Sequence, residues 1–416
     1  MKRYFTLCLL VSALIPLSGC YNTGSSAPAP TNVQVVAGDT SATLTWDTTA
    51  GVEYWIFKAA TTGLAPQDCL PLPECGITMH AVSPTVLAGL VNGTLYSFTI
   101  NGRVNGGKGG PGSPSVSATP RLAGAAWSLS GTLLGTNLNG IGFGSVFVAA
   151  GDGGVLFSST DAATWTSLSS PVATKLNAVS YYGGNYLVVG AGGVILRSSN
   201  ATVTWPQQTA VPVATPDLYA ISNYGTAGFV ATGTSGTIIH SGDGITWVGA
   251  TSTPNTANTL YGVTYGNGKY VAVGAAGTIL TSTDAATWSA PTSNTSNTSN
   301  MLKSIAYAPP AIGTTGSGTF VAVGSSGAVV ISTDGGLSWA PITTSPFSTS
   351  TVINAITYGR QFVAVAEDGN IKTSIDGLTW TATTTTPANA SPIYAVTRGL
   401  YDYTAVGAGG LNLHSK

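Results

Sequence analysis

The chain has 416 residues, enough for two domains, yet only 7% of them are charged and the net charge is −1. An average globular domain is roughly 25% charged. A chain with so little charge creates no field that would attract nucleic acid, so we exclude nucleic acid as a partner. The 54 glycines, about twice the usual share, and the lack of any long helical pattern after residue 20 predict an all-β protein rich in tight turns.

The chain begins with a predicted export signal over residues 1–19. Lys2 and Arg3 supply a positive start, and the apolar stretch that follows is too short to span a bilayer. The stretch ends at residues 17–20 with the sequence LSGC, which resembles the lipobox of bacterial lipoproteins. The alternative is an ordinary secretory peptide with a chance cysteine.

The lipobox resemblance implies that Cys20 is lipidated and becomes the first residue of the mature protein. Residues 20–30 would then be a flexible tether, because they are rich in Ser, Ala, Pro and Gly. Tyr21 stands where many inner-membrane lipoproteins have aspartate, which favours the outer membrane or the cell surface. We therefore expect a lipid-anchored protein of the cell envelope.

Two cysteines remain after Cys8 is removed with the signal and Cys20 is assigned to lipid. These are Cys69 and Cys75, and the five residues between them include two prolines. Export permits a disulfide, so the spacing predicts a bond that closes a short surface loop; two free thiols are the alternative. Two cysteines and three histidines are too few for a metal site, and we expect neither metal nor cofactor.

Residues 31–120 alternate apolar and polar side chains in the manner of β-strands. Trp46 lies on the second predicted strand, and the stretch from Leu90 to Tyr96 has the pattern of the tyrosine corner of β-sandwiches. Together with Pro120 at the exit, these residues resemble a fibronectin type III domain. The resemblance implies that Trp46, Leu90 and Tyr96 belong to the core and that the domain is a spacer or an adhesive module.

Residues 121–416 contain a repeat of about forty residues. Five short turns, each ending in tryptophan, read S-x-D-[GA]-x-[TS]-W or are one residue longer, and a sixth has Asn200 in place of aspartate. The turn residues are Asp161, Asn200, Asp243, Asp284, Asp334 and Asp376. The tryptophans are Trp127, Trp165, Trp205, Trp247, Trp288, Trp339 and Trp380. Such a period is typical of radial all-β repeats.

The turns resemble the Asp-box (BNR) repeat of sialidases, some xyloglucanases and a photosystem assembly factor. In those families the Asp box is structural and lies on the face away from the active site, so we assign no catalytic role to these carboxylates. Each period contains four predicted strands, but the last, over residues 393–416, contains three. The strand around Trp127 would complete it and close a seven-bladed β-propeller, which removes free sheet edges.

The face opposite the Asp turns is the candidate functional surface. The first strands of the repeats place larger side chains near it: Asn139, Asn177, Tyr219, Tyr261, Lys303, Asn354 and Tyr394. The links between repeats on this face are polar and uncharged. Neutral polar groups beside tyrosines suit recognition of a sugar or a peptide. The alternative is that these side chains pack the mouth of the central channel and the links are only solvated.

Three carboxylates near the same face are the best candidates for a catalytic pair: Asp152, Glu367 and Asp368. A glycosidase needs two carboxyl groups across the scissile bond, and Asp152 could pair with either of the others. The glycines beside Asp152 and Asp368, however, predict solvated turns with ordinary pKa values. A sialidase is disfavoured, because Arg197 lies beside an Asp-box turn and Glu367 is the repeat region's single glutamate.

Two functions from different classes follow. The first is a non-catalytic envelope lipoprotein whose propeller is a binding platform for a protein or a glycan, carried on a β-sandwich stalk. The second is a carbohydrate-active enzyme that works at the acidic turns. The scarcity of titratable groups favours the first, so we assign no catalytic residue.

Overall fold

The computed structural model describes residues 24–72, 74–130, 134–201, 204–208, 210–211, 216–224, 228–253, 256–294, 299–311, 313–386 and 388–415. Nearly all of its regular structure is β. The chain divides into two compact units between Pro120 and Arg121. The predicted signal peptide and the lipidation site at Cys20 lie outside the described residues. Within those residues, no helix is long and apolar enough to cross a membrane.

The part of the first unit that the structure describes contains two β-sheets and one short helix. Its strands are β1 (Ser25–Ser26), β2 (Gln34–Gly38), β3 (Ser41–Thr45), β4 (Val52–Ala59), β5 (Gly76–Ala81), β6 (Thr85–Ala88), β7 (Tyr96–Val104) and β8 (Val116–Ala118), and its helix is α1 (Pro66–Cys69). One sheet has the order β1-β7-β4-β5 with β8 also paired to β7, and the other has the order β2-β3-β6. Side chains from both sheets share one buried apolar cluster.

Trp46, Leu90 and Tyr96 are all members of this cluster. The Tyr96 hydroxyl accepts a hydrogen bond from the backbone N–H of Val91 at 3.2 Å, five residues upstream. A tyrosine in a corner therefore fixes the entry to β7 through its hydroxyl while its ring remains in the core.

The predicted disulfide between Cys69 and Cys75 is confirmed. Cys69 is fully buried and packs with Phe57 and Leu64 in a small cluster separate from the main core. The disulfide thus holds α1 and the turn after it against the outer side of β4.

The predicted flexible tether over residues 20–30 extends too far, because residues 25–27 pair with a strand of the first unit. Ser25 pairs with Val104 and Ser26 with Arg103 in the sheet, and the Ala27 backbone N–H donates to the Gly102 carbonyl. Ala27 is buried. Small side chains on both strands allow this close approach, since a Cβ on Gly102 would lie 3.0 Å from that of Ala27. Residues 25–27 are therefore part of the sandwich.

The second unit contains seven sheets within the described residues, numbered I to VII in chain order of their first long strand. Sheet I contains β10 (Leu138–Phe143), β11 (Phe147–Gly151), β12 (Leu156–Ser159) and β13 (Thr166–Leu168); sheet II contains β14 (Leu176–Tyr182), β15 (Asn185–Gly190) and β16 (Ile195–Ser198). Sheet III contains β17 (Ala210–Val211), β18 (Leu218–Tyr224), β19 (Gly228–Gly233), β20 (Ile238–Ser241) and β21 (Trp247–Gly249). Sheet IV contains β22 (Thr251–Thr253), β23 (Leu260–Gly266), β24 (Lys269–Gly274), β25 (Ile279–Ser282) and β26 (Thr287–Ser289).

The remaining sheets follow the same plan. Sheet V contains β27 (Ser293–Asn294), β28 (Leu302–Ala308), β29 (Thr319–Gly324), β30 (Val329–Ser332) and β31 (Ser338–Pro341); sheet VI contains β32 (Ile353–Tyr358), β33 (Phe362–Ala366), β34 (Ile371–Ser374) and β35 (Thr381–Ala382). Sheet VII combines β9 (Ala126–Leu129) with β36 (Thr384–Thr386), β37 (Ile393–Arg398), β38 (Tyr403–Gly407) and β39 (Asn412–Ser415). In six of the sheets a single 3-10 turn joins the second and third long strands: Asp152–Gly154, Ala191–Gly193, Thr234–Gly236, Ala275–Gly277, Ser325–Gly327 and Ala408–Gly410.

The innermost strands stand in a closed cycle. Each of β10, β14, β18, β23, β28, β32 and β37 packs against the next, and β37 packs against β10. Apolar clusters fill the spaces between neighbouring sheets. In sheet VII the N-terminal strand β9 pairs antiparallel with β39, with Leu129 opposite Leu413. One sheet is therefore made from both ends of the unit.

Within the described residues, four sheets have a fifth strand that the four-strand interpretation missed. The links between sheets supply β17, β22, β27 and β36, and each pairs in parallel with the outermost strand of the following sheet. Part of each of these links is thus a hydrogen-bonded edge strand and is not merely solvated. Ser and Thr suit this position, because an edge strand has one side in water.

Candidate functional site

The seven ring residues of the sequence analysis share one backbone feature. Every innermost strand has a β-bulge at its second residue, where the register with the neighbouring strand shifts by one. The bulged residues are Asn139, Asn177, Tyr219, Tyr261, Lys303, Asn354 and Tyr394. A bulge adds one residue to a strand and redirects its side chain. The same local irregularity, used seven times, therefore turns seven side chains to one end of the ring.

These seven side chains line a pocket with a volume of about 440 Å³, together with Asn137, Lys175 and Glu367. Below it, a space of about 230 Å³ continues between the innermost strands. Small residues such as Gly140, Ala178 and Gly262 line this channel. The structure thus brings all seven ring residues to the mouth of the channel, with the wider polar pocket above it.

Asp152 is the centre of a hydrogen-bond network at one side of the pocket. Asn137 and Asn139 each donate a side-chain hydrogen bond to it at 2.9 Å, one to each carboxylate oxygen. The Lys175 ammonium lies 3.8 Å from Oδ1. Burial opposes ionisation, but the two asparagines and Lys175 outweigh it and lower the pKa of Asp152. The carboxylate is charged at neutral pH, and each of its oxygens accepts a hydrogen bond from an asparagine side chain.

A second network crosses sheets V and VI. The Lys303 ammonium donates to Asn354 Oδ1 at 2.7 Å, and Asn354 Nδ2 donates to Glu367 Oε2 at 2.7 Å. Asn354 Nδ2 also donates to the Ile393 carbonyl in the next sheet at 2.9 Å. Burial lowers the pKa of Lys303, the negative charge of Glu367 raises it, and the positive charge of Lys175 lowers it. Asn354 therefore links Lys303 to Glu367 by hydrogen bonds and holds both side chains in position.

Three tyrosines form the aromatic part of the pocket. The rings of Tyr219 and Tyr261, on adjacent sheets, lie 5.1 Å apart between centroids with an interplanar angle of 51°. Burial, followed by the charge of Asp217, raises the pKa of Tyr219, and burial also raises the pKa of Tyr394. The Tyr219 and Tyr394 hydroxyls therefore remain neutral at physiological pH. They offer apolar ring surface together with hydrogen-bonding groups.

The catalytic candidates are only partly brought together. Asp152 and Glu367 both belong to the hydrogen-bond networks around the pocket. Asp368 does not; it accepts hydrogen bonds from Thr351 Oγ1 at 2.8 Å and from the N–H of Asn370, in its own turn, at 3.1 Å. Burial raises the pKa of Asp368, but the hydrogen bonds from Asn370 and Thr351 outweigh it and lower the value. The expectation of ordinary pKa values for Asp152 and Asp368 was wrong. Both pKa values are lowered, because asparagine side chains and Lys175 stabilise the Asp152 carboxylate, and Asn370 and Thr351 stabilise that of Asp368.

The Asp-box residues lie at the opposite ends of the sheets, where they order their own turns. In all five turns the serine hydroxyl donates to the aspartate Oδ1 at 2.8–3.0 Å, and the same oxygen accepts two backbone N–H groups at 2.8–3.0 Å. In the sixth turn Ser198 Oγ donates to Asn200 Oδ1 at 3.4 Å. The hydrogen bonds of these carboxylates thus stabilise their own turns.

The tryptophans pack beneath these turns, and all are buried or half-buried. Within the described residues, six of them donate their indole N–H to the carbonyl three residues earlier, at 2.8–3.3 Å: Trp127, Trp165, Trp247, Trp288, Trp339 and Trp380. Trp127 makes this bond, although no Asp-box sequence precedes it. Its turn is therefore of the same kind as the others.

Sequence reasoning missed Asn137 and Lys175, which line the pocket from just before the first strands of sheets I and II. Backbone hydrogen bonds hold both residues at this edge of the pocket: the Asp152 N–H donates to the Asn137 carbonyl, and the Ala191 N–H donates to the Lys175 carbonyl. Among the described residues, no group of three or more His, Cys, Asp or Glu side chains is placed to hold a metal ion.

Comparison with solved structures finds β-propellers. YCF48 from Cyanidioschyzon merolae is 17% identical with a TM-score of 0.53, and the match covers 70% of this chain and 99% of that one. YCF48 bound to D1 peptide is 19% identical with a TM-score of 0.54, covering 72% and 99%. The WD40 β-propeller domain of Doa1 is 15% identical with a TM-score of 0.53, covering 70% and 96%.

Similarity at these identities shows the fold alone: the protein contains a β-propeller. No family model matches the sequence. The search of curated proteins also gives no match.

Proposed function

We propose that the protein is a non-catalytic, lipid-anchored protein of the cell envelope whose propeller binds a segment of another protein in the pocket at the channel mouth. The ring of seven bulges is the observation that carries this proposal. It directs one side chain from every sheet to the same pocket, and most of them are neutral polar or aromatic. Such a lining suits a peptide, which presents both backbone amides and apolar side chains.

The comparison with YCF48 supports a peptide ligand, because one of the similar structures is described as bound to D1 peptide. The seven-bladed Asp-box architecture belongs to the same proposal and is supported by the closed cycle of seven sheets. The pairing of residues 126–129 with residues 412–415 supports closure by the N-terminal strand. The buried Trp46, Leu90 and Tyr96 support a fibronectin type III-like domain, for which we propose a spacer role.

Placement in the cell envelope rests on the sequence. Lys2 and Arg3, the apolar stretch after them and the LSGC motif ending at Cys20 together favour export and lipidation. Tyr21 favours the outer membrane or the cell surface. A disulfide between Cys69 and Cys75 suits an oxidising compartment.

The alternative function is a glycoside hydrolase that uses Asp152 with Glu367. Its general acid would have to be protonated near neutral pH. Asp152 has a lowered pKa and accepts hydrogen bonds from Asn137 and Asn139, so it is a poor proton donor. Turnover of a glycan that disappears in the Asp152→Asn, Glu367→Gln double variant would favour the enzyme over the binding platform.

A peptide and glycan array probed with the full-length protein tests the proposal. We expect bound peptides, and we expect the Tyr219→Ala, Tyr261→Ala double variant to lose that signal, because the aromatic wall of the pocket is removed. Tyr182→Ala is the matched control: Tyr182 is exposed at the far end of β14, on the Asp-box side. Equal peptide binding by the double variant would contradict the proposed site. Signals confined to glycans would replace the peptide with a sugar.

A further inference from the structure

The acidic groups around the pocket already have hydrogen-bond partners, whereas its lysines still have protons to donate. Its two carboxylates already accept side-chain hydrogen bonds: Asp152 from Asn137 and Asn139, and Glu367 from Asn354. The lysine ammonium groups have fewer hydrogen-bond partners than they have protons. The Lys303 ammonium has three protons and donates to Asn354 Oδ1. The groups left to meet a ligand are therefore mainly donors.

The two lysines of the pocket stand far apart in the ring order. Lys175 precedes the innermost strand of sheet II, and Lys303 lies on that of sheet V, so two sheets separate them one way and three the other. Lys175 is half exposed and forms an ion pair with Asp152 at 3.8 Å, a separation longer than a hydrogen bond, so its ammonium can still donate to a ligand. Both side chains nevertheless line the same pocket. An anion bound in that pocket would be attracted by two positive charges.

Tyrosines flank the space between these lysines on one side. Sheets III and IV, which lie between Lys175 and Lys303, contribute Tyr219 and Tyr261 to the pocket. Neither hydroxyl makes a hydrogen bond within the part of the chain that the structure describes. Two hydroxyl donors and an aromatic surface thus adjoin the space that the lysines face.

We propose that the pocket recognises a carboxylate of its peptide ligand, held between Lys303 and Lys175 with Tyr219 and Tyr261 beside it. This inference rests on the proposed function and adds the charge of the ligand to it. Asp152 and Glu367 offset the charge of the two lysines, and both carboxylates already accept hydrogen bonds from asparagine side chains. The carboxylate can come from an acidic side chain or from the peptide's C-terminus, since both present the same two oxygens.

Three short peptides distinguish these sources on the full-length protein. The first, acetyl-Tyr-Glu-Tyr-amide, has only a side-chain carboxylate; the second, acetyl-Tyr-Ala-Tyr with a free C-terminus, has only a terminal one; the third, acetyl-Tyr-Gln-Tyr-amide, has none. Binding is measured by NMR titration of the peptide signals at low and high salt. We expect one or both carboxylate peptides to bind about tenfold more tightly than the neutral one, because a hydrogen bond to a charged group is worth roughly that factor. High salt should reduce the difference.

Variants locate the contact. Lys303→Met and Lys175→Met keep the length of the side chain but remove the charge, and each should abolish most of the preference for carboxylate. Lys269→Met is the control, because Lys269 begins β24 at the opposite end of the ring. Equal affinity for all three peptides, or an unchanged preference in Lys303→Met, would overturn the inference. Charge-independent binding would still leave the proposed peptide platform intact, whereas no peptide binding in this titration or on the array would count against both.

Discussion

The backbone N–H of Gly124 donates a hydrogen bond to Ser415 Oγ at 2.8 Å, across 291 positions of the chain. Within single turns, the Gly244 N–H donates to Ser241 Oγ and the Gly377 N–H donates to Ser374 Oγ at the same distance. The turn of sheet VII therefore has the same serine–glycine hydrogen bond as these two Trp-ended turns, but it is split between the two ends of the unit. Its serine comes from β39, its glycine lies just before β9, and Trp127 lies in β9.

Loss of the Ser415 hydroxyl should weaken this junction. In Ser415→Ala the buried Gly124 N–H loses its acceptor, and an unsatisfied buried donor costs about 1–3 kcal/mol. Urea unfolding followed by tryptophan fluorescence measures the change in the free energy of unfolding of the propeller. Ser350→Ala, at an exposed serine, is the control and should be neutral. If the two variants unfold alike, the split turn does not contribute to closure.

The Asp-box carboxylates should make the propeller sensitive to acid. Burial raises the pKa of Asp334, but hydrogen bonds from Ser338, the backbone and Ser332 outweigh it and lower the pKa to about 2, from an ordinary value of 3.8. The unfolded chain then binds more protons than the folded one between about pH 4 and pH 2, so stability falls as the pH falls through that range. Melting temperatures measured from pH 5 to pH 2 should decline less steeply in Asp334→Asn. A slope as steep as that of the wild type would show that Asp334 does not contribute.

Reduction of the disulfide should act locally. The bond between Cys69 and Cys75 closes a short loop, for which loop entropy predicts about 2 kcal/mol. Hydrogen exchange after reduction should increase around α1 and residues 70–76 and stay unchanged in the main cluster around Ile56 and Phe98. Labelling of either thiol in the folded, unreduced protein would show that the bond is absent in solution.

Lipidation of Cys20 should decide membrane attachment. The wild-type protein expressed in a two-membrane bacterium should enter the detergent phase after Triton X-114 separation, because the lipobox cysteine would be acylated. Cys20→Ser should move it to the aqueous phase. If the serine variant still fractionates with membranes, attachment has another cause.

Much of this structure follows from local sequence patterns. The Trp-ended turns fix the period, and alternation within each period places the innermost strands and hence the ring from Asn139 to Tyr394. The bulges that aim this ring depend on register between strands, which composition does not reveal. The fifth strands were missed because Ser- and Thr-rich links such as residues 251–253 look like loops until a neighbouring edge pairs with them. The role of Ser415 could have been found, since each third long strand ends in serine.

Hydrogen exchange of the full-length protein with and without its strongest array peptide locates the surface that binds the peptide. We expect protection at the pocket end of the sheets, in the turns Asp152–Gly154, Ala191–Gly193 and Ala275–Gly277 and in the strand starts beside them. The Asp-box turns should exchange equally with and without the peptide. Protection confined to those turns, or to residues 24–120, would contradict the assignment of the pocket as the binding site.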